Sequence, residues 1–291
     1  MLSEVILVGV MVGAVYALIT VGYSMVFGIL KLMNFAHGDT YIFGTLISLT
    51  LLIKYNFHPV IAILVAAVAG GALAFLVEAL IYRRLRAAQH RLISMITALG
   101  AAYVIQNISE LGWGNQVMSF PSLVKSKFVT LFGLQISVTH LITLLVAVLC
   151  IVGLILFMKY HRYGKAIDCV SQDMDAASLM GIPINRVVSS VYFMGGLLGV
   201  IGGILYSSAY GALSLGMGFR GTLVAFTAAV IGGIGSLGGA LLGGLILGLS
   251  ENLIGVYISS SYRDPLMYSL LILMLLVKPT GILGGTDQAK V

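Results

Sequence analysis

Residues 222–250 contain no Asp, Glu, Lys or Arg, and this constrains the fold more than any other feature of the chain. An apolar run of about 20 residues is long enough to cross a bilayer as a helix. A helix that is apolar on every face has no surface to offer water. The pattern recurs. Residues 5–30, 40–53, 138–158 and 187–210 carry no charge, and residues 59–82 carry only Glu78. Charged residues make up 9% of the chain, against about 25% in a soluble domain. A membrane β-barrel would show alternating segments of about ten residues, whereas these runs are continuous. The sequence therefore predicts an all-α, polytopic membrane protein.

Positive charge marks the cytoplasmic side of such a protein. Arg83, Arg84, Arg86 and Arg91 fall in one short loop, and Lys159, Arg162, Lys165 and Arg186 in a second. Lys278 and Lys290 lie near the C-terminus. Segments 83–91 and 159–186 and the C-terminus are thus expected in the cytoplasm. Segment 109–137, with Lys125, Lys127 and Glu110, is expected outside. The net charge of +6 follows from this distribution and does not point to nucleic acid. Spans are expected near 59–82, 92–108, 138–158 and 187–210, two within 222–258, and a last one over about 265–284. Region 5–54 holds either two full spans or one span and a broken or re-entrant segment. The total is eight or nine transmembrane helices, with at least one broken or re-entrant helix, in a single membrane domain over 1–291. Met1-Leu2-Ser3-Glu4 lacks a basic region, so the first helix is expected to be retained and not cleaved as a signal. Cys150 and Cys169 read as unpaired thiols.

Between two uncharged stretches lies Leu32-Met33-Asn34-Phe35-Ala36-His37-Gly38-Asp39. Ionisable and amide groups at membrane depth are costly and mark functional sites by default. Asn34, His37 and Asp39 therefore read as a broken helix facing a translocation path. The plainer alternative is a short cytoplasmic turn.

Glycines stand four apart at Gly9 and Gly13, at Gly195, Gly199 and Gly203, at Gly235, Gly239 and Gly243, and at Gly244 and Gly248. That spacing stacks them on one helix face and lets neighbouring backbones approach closely. The cluster Gly232, Gly233, Gly235 and Gly239 is denser than packing requires and predicts a helix break.

Segment 159–186 predicts a short helix outside the membrane over 174–180. Ser171 or Asp173 can cap it, and Asp175 suits its first turn. Gly181 can end it in a left-handed turn, and Pro183 can start the next element. Met174, Ala177 and Met180 fall on one face, an adaptable apolar knob for a docking partner. The alternative is a loop helix that packs only on its own membrane domain. No G-x-x-x-x-G-K-[ST] phosphate loop and no H-E-x-x-H motif occurs. His37, His58, His90, His140 and His161 are scattered. Nothing in the sequence argues for an enzyme, so any ATP hydrolysis belongs to a partner.

Several blocks taken together resemble the permeases of branched-chain amino acid ABC importers, a family that also includes urea and amide permeases. They are Tyr16-Ala17-Leu18, Gly22-Tyr23-Ser24-Met25-Val26-Phe27-Gly28, Asn34-Phe35-Ala36-His37-Gly38, Gln106-Asn107, Gln172-Asp173 with Ala176-Ala177 and Leu179-Met180-Gly181-Ile182, and Ala228 through Gly235 with Gly239-Ala240 and Gly243-Gly244. Asp39 stands where many relatives carry Glu. The resemblance adds Gln106 and Asn107 to the candidate path. It places the ATPase-coupling element on Asp173, Met174, Ala176, Ala177, Leu179, Met180 and Gly181. It implies a second homologous permease subunit, usually as a heterodimer, and two cytoplasmic ATPases. An extracytoplasmic solute-binding protein would dock on 109–137 and 211–221. It also implies surrounding membrane lipid, no cofactor on this chain, and ATP with Mg on the partner ATPases.

The expected activity is inward movement of branched-chain amino acids, or a related small polar solute, by alternating access across a prokaryotic inner membrane. An autonomous secondary transporter or channel is the rival, with Asn34, His37 and Asp39 as an ion site. A purely structural membrane subunit is a third option.

Overall fold

The computed structural model describes residues 2–85, 91–123, 128–131 and 134–284. Arg86, His90, Lys125, Lys127 and Lys290, used above to assign sides or count histidines, lie outside the described residues. Among the described residues, five helices are long and apolar enough to cross a membrane. They are α1 (Leu2–Leu30); α3 (Pro59–Val77), continued through a π-helical turn (Glu78–Tyr82) into α4 (Arg83–Leu85); α6 (Val138–Tyr160); α9 (Ile184–Tyr210); and α11 (Leu237–Tyr257). Two shorter buried helices, α2 (His37–Ile53) and α10 (Met217–Gly232), have 17 and 16 residues. At 1.5 Å per residue each reaches about 25 Å, short of a hydrocarbon core about 30 Å thick. The rest are α5 (Arg91–Trp113), α7 (Arg162–Gln172), α8 (Met174–Leu179) and α12 (Arg263–Val277).

Helix α1 is the hub. It is apolar on all faces and buried from Met11 to Val26, as a helix enclosed by others must be. It runs antiparallel to α11 along a seam of small residues. A Cβ added to Gly13 would lie 2.8 Å from Leu245 Cα, and one on Gly9 3.0 Å from Leu249 Cδ2. Gly244 and Gly248 in turn press against Ala17 and Gly13. At the far end of the seam, Asn252 Nδ2 donates to Val5 O at 2.6 Å. On α9, a Cβ on Gly195 would lie 2.8 Å from Gly22 O. Between lipid-soluble helices the gain comes from dispersion at such close approaches, not from expelling water. Gly9, Gly13, Gly195, Gly244 and Gly248 fall in these seams, whereas Gly199 and Gly203 face Tyr41 and Thr45 of α2.

The chain is mostly helical but not purely so. Strand β1 (Met118–Ser119) pairs antiparallel with β4 (Ala212–Leu213), and β2 (Phe128–Leu131) pairs with β3 (Leu134–Ser137). Both ladders lie in segments read from sequence as loops. Two- to four-residue strands carry too little periodicity to register there. The last helix is also shorter than expected: α12 ends at Val277 and not near 284. Pro279 and the left-handed Gly281 (φ 79°) turn the chain back. Ile282 N then donates to Ile231 O at 2.9 Å and Leu283 N to Gly232 O at 2.8 Å, satisfying carbonyls that α10 leaves open at its C-terminus.

The ends of α1 and α4, helix α7, the start of α9 and the segment after α12 gather at one end of the bundle. Lys31, Ser171, Gly235 and Pro279 line one cavity of about 420 Å³. Arg83, His161 and Arg186 line another of about 690 Å³.

Candidate functional site

Segment 34–39 is neither a full-length helix nor a surface turn. Helix α1 stops at Leu30, where Lys31 adopts a left-handed φ of 53°. The chain then re-enters the bundle, and Asn34, His37 and Asp39 are 6%, 3% and 5% exposed. Asn34 organises the re-entry: its Oδ1 accepts from Ala36 N at 3.2 Å and from Tyr82 OH at 3.0 Å. This is an Asx-type turn, which holds a chain without secondary structure. Helix α2 then starts inside the protein with no side-chain cap of its own. Its early N–H groups need acceptors from elsewhere.

One acceptor comes from α10. Gly38 N donates to Thr222 Oγ1 at 2.9 Å, and the Thr222 hydroxyl lies 3.2 Å from Gly218 O. Tyr41 OH donates to Met217 O at 3.3 Å. The two shorter helices thus meet by their N-terminal turns within the bundle. Glycine makes the approach possible: a Cβ on Gly38 would overlap the Gly218 carbonyl, and one on Gly218 would lie 2.6 Å from Asp39 Oδ1. Asp39 in the first turn of α2 opposes the positive ends of both helix dipoles. His37 sits edge-on to Tyr23 and Tyr41, with ring centroids 5.8 and 6.1 Å away. Its Nε2 points toward Gly199 and has no hydrogen-bond partner.

Beside this junction, Tyr16, Tyr41, Tyr206 and Arg220 line a cavity of about 30 Å³. That is room for a water or two and none for an amino acid.

The sequence reading missed the ion cluster beside the junction. Arg220 Nη2 bonds Glu251 Oε1 at 2.8 Å, and Arg220 Nε bonds Asp264 Oδ1 at 2.7 Å. Tyr16 OH donates to Glu251 Oε2 at 2.8 Å. The signal was present: Arg220 and Glu251 bracket the uncharged run 222–250. A second cluster sits on the π-helical turn. Glu78, fully buried, is held by Arg83 Nη2 at 3.0 Å and by the Ser189 hydroxyl at 2.6 Å.

The other predicted residues fall elsewhere. Gln106 is half-buried and Asn107 exposed on α5, and Asn107 Nδ2 donates back to Tyr103 O at 2.7 Å. They are not brought to the junction. Gly233 and Gly235 lie in the turn between α10 and α11, with Gly232 at the end of α10 and Gly239 in the first turn of α11. Gly233 and Gly235 have φ of 116° and 85°, a region open mainly to glycine. Ser236 caps α11 by accepting from Gly239 N at 3.1 Å.

Helix α8 is capped by Asp173, not Ser171: Asp173 Oδ1 accepts from Ala176 N at 2.9 Å. Gly181 ends it at φ 81°. The residues expected on one face, Met174, Ala177 and Met180, differ in exposure. Ala177 is 4% exposed and Met174 half-buried, while Leu179 and Met180 are 89% and 83% exposed. A two-turn helix pinned at its N-terminus must pack one face on its own scaffold, and here that face holds Ala177. Ala176 and Asp175 are exposed.

A family model described as the permease component of branched-chain amino acid transport systems matches residues 5–277. The chain is 37% identical over 295 residues to the high-affinity branched-chain amino acid transport system permease protein LivH of Escherichia coli K12, covering 97% of this chain and 96% of that protein. Identity and coverage are the same for BraD of Pseudomonas aeruginosa. Among solved structures, PsaBC from Streptococcus pneumoniae in complex with Fab matches with a TM-score of 0.52 at 16% identity, over 96% of this chain and 92% of that one; this likeness concerns the fold alone. Sequence identity along nearly the whole chain and a family match from residue 5 to residue 277 lead to one conclusion: this chain belongs to the branched-chain amino acid transport system permease family.

Proposed function

We propose that this chain is the permease subunit of an ATP-driven importer that moves branched-chain amino acids inward by alternating access. The observation that carries the mechanism is the meeting of α2 and α10, N-terminus to N-terminus, through Gly38 N and Thr222 Oγ1. Discontinuous helices meeting inside a bundle are parts that two rigid bodies can rock about. In this reading the junction is a hinge, and Asn34, His37 and Asp39 hold it shut. Solute passes when α2 and α10 separate, against a second permease subunit that is a homologous, different chain. Gln106 and Asn107, on α5 and away from the junction, belong to the part of the path that faces the second subunit.

The membrane topology we propose has nine passes, with the N-terminus outside and the C-terminus in the cytoplasm. Two observations support it. The basic ends of α1, α4, α7 and α9 and the segment after α12 share one end of the bundle, as the positive-inside rule requires. The start of α1 lies against the end of α11, at the opposite end. Asp173, Met174, Ala176, Ala177, Leu179, Met180 and Gly181 form the coupling element on the cytoplasmic side. Leu179 and Met180 enter the ATPase, and Asp173, Ala177 and Gly181 shape the helix that carries them. ATP and Mg act on two partner ATPases. A solute-binding protein docks on 109–137 and 211–221. Since a ligand shifts a two-state equilibrium only by its differential affinity, the permease itself need not hold the solute tightly.

Reconstitution tests this. The permease pair, ATPases and binding protein in proteoliposomes should accumulate labelled leucine only with ATP and binding protein. Leucine uptake driven by an ion gradient without ATP would overturn the reading, as would ATP-driven uptake of another solute class with none of leucine, isoleucine or valine.

A further inference from the structure

We propose that the groove between α3, α6, α7 and α9, at the basic end of the bundle, is a binding site for one anionic phospholipid. The groove begins as the 690 Å³ cavity bounded by Arg83, His161, Arg186 and Ser190 at its mouth and by Phe157 and Phe193 deeper in. A second cavity of about 270 Å³, lined by Cys150, Gly153, Leu154 and Leu198, shares Phe157 and Met194 with the first. The two therefore adjoin along α9 and together make the proposed channel. From Arg186 to Leu198 that channel runs about 18 Å at 1.5 Å per residue. One leaflet, headgroup included, is about 20 Å deep.

Its chemistry changes along that length as a phospholipid's does. The mouth is cationic. Arg186 is exposed and makes no ion pair among the described residues. Arg83 shares its charge with Glu78, and half of that pair, Arg83, remains 38% exposed. His161 Nδ1 accepts from Tyr163 N at 3.2 Å. In the neutral ring this leaves the proton on Nε2 as the ring's one donor. The ring is fixed in a stack between Phe157 and Tyr163, at 4.8 and 5.8 Å. Beyond Phe157 the walls are apolar. Basic pockets between membrane helices on the cytoplasmic side suit anionic headgroups, and an apolar slot one leaflet deep suits an acyl chain. A protein partner would need a charged tip and a thin apolar blade to fill the same shape.

The test uses the assembled permease–ATPase complex in phosphatidylcholine vesicles doped with phosphatidylglycerol that carries a photoreactive acyl chain. Labelled residues are mapped by mass spectrometry. The expected result is labelling of peptides containing residues 150–157 and 193–198, well above that from phosphatidylcholine with the same photoreactive chain. Arg186→Gln, which removes one basic group, should lower this labelling about fivefold, and Arg186→Glu, which reverses the charge, should lower it further. Arg186→Gln carries the same test if the Glu variant does not assemble. Gly153→Phe should also lower it, because a side chain at Gly153 enters open space and fills the slot. Equal labelling by the two lipids, or labelling unchanged by these variants, would overturn the proposal. Labelling that appears only after partner subunits are stripped would overturn it too, since protein would then be the occupant.

Discussion

At the scale of single residues, the junction depends on atoms that are missing as much as on those present. Gly38→Ala puts a methyl group against the Gly218 carbonyl and should cost about 1–3 kcal/mol through overpacking, read as a lower melting temperature of the detergent-solubilised complex. His37 behaves differently. Its Nε2 is buried without a partner, and an unpaired buried polar atom costs about 1–3 kcal/mol. His37→Leu should therefore leave stability unchanged or raised. If the imidazole serves the hinge or the solute, ATP-driven uptake should fall, with His37→Gln milder. Equal uptake for wild type, Leu and Gln at equal amounts of complex would remove any role beyond connecting helices. Glu251 gives a third contrast. Glu251→Ala removes the buried partner of Arg220 and Tyr16 and should cost about 3 kcal/mol. Asp264→Asn, at a site where the carboxylate is 52% exposed, should cost about 1 kcal/mol or less.

At the scale of elements, α8 and its C-cap residue present one outward and one inward face. Leu179 and Met180 project from the protein while Ala177 faces it. Met180→Asp should change stability by no more than about 0.5 kcal/mol yet abolish co-purification of the ATPases or solute-stimulated ATP hydrolysis. Ala177→Asp should act by the opposite route, burying a charge against α7 and α9 and lowering the yield of folded protein. Normal coupling in Met180→Asp would remove the docking assignment from α8. Helices α2 and α10 follow a related logic. Each is too short to span alone and is completed by an irregular stretch, 31–36 on one side and 214–216 on the other. Such backbone survives at membrane depth only when protein satisfies its polar groups, and Asn34 and Thr222 do that here.

At the scale of the whole molecule, the arrangement of ends makes a definite claim about sidedness. In a Cys150→Ser, Cys169→Ser background, a cysteine at Ser3 should react with an impermeant maleimide added outside intact cells. One at Ser178 should react only after the membrane is opened. Reaction of both from the same side would exclude nine passes. The antiparallel α1–α11 seam binds the first and nearly the last helix of the chain. Substitutions in it, such as Gly248→Leu, should disrupt the bundle as a whole and not one local element.

The class of the molecule was legible in the sequence because water and lipid act on every residue independently. Uncharged runs specify helices, basic clusters specify a side, and glycines four apart specify close seams whatever partner they meet. The polar string at 34–39 was legible for the same reason, and so was the division of 222–258 near Gly235. Tertiary structure decided what each of those features touches. Only packing sets Gly38 against Thr222 and Arg220 against Glu251, partners 184 and 31 residues apart, and no local pattern encodes such pairs. Only packing turned Ala177 inward and left Leu179 and Met180 out, since a short helix offers periodicity but no indication of which face its scaffold takes. It also left Gln106 and Asn107 apart from the junction and folded 278–284 back onto α10, because distant carbonyls at the end of one helix were left for another segment to satisfy.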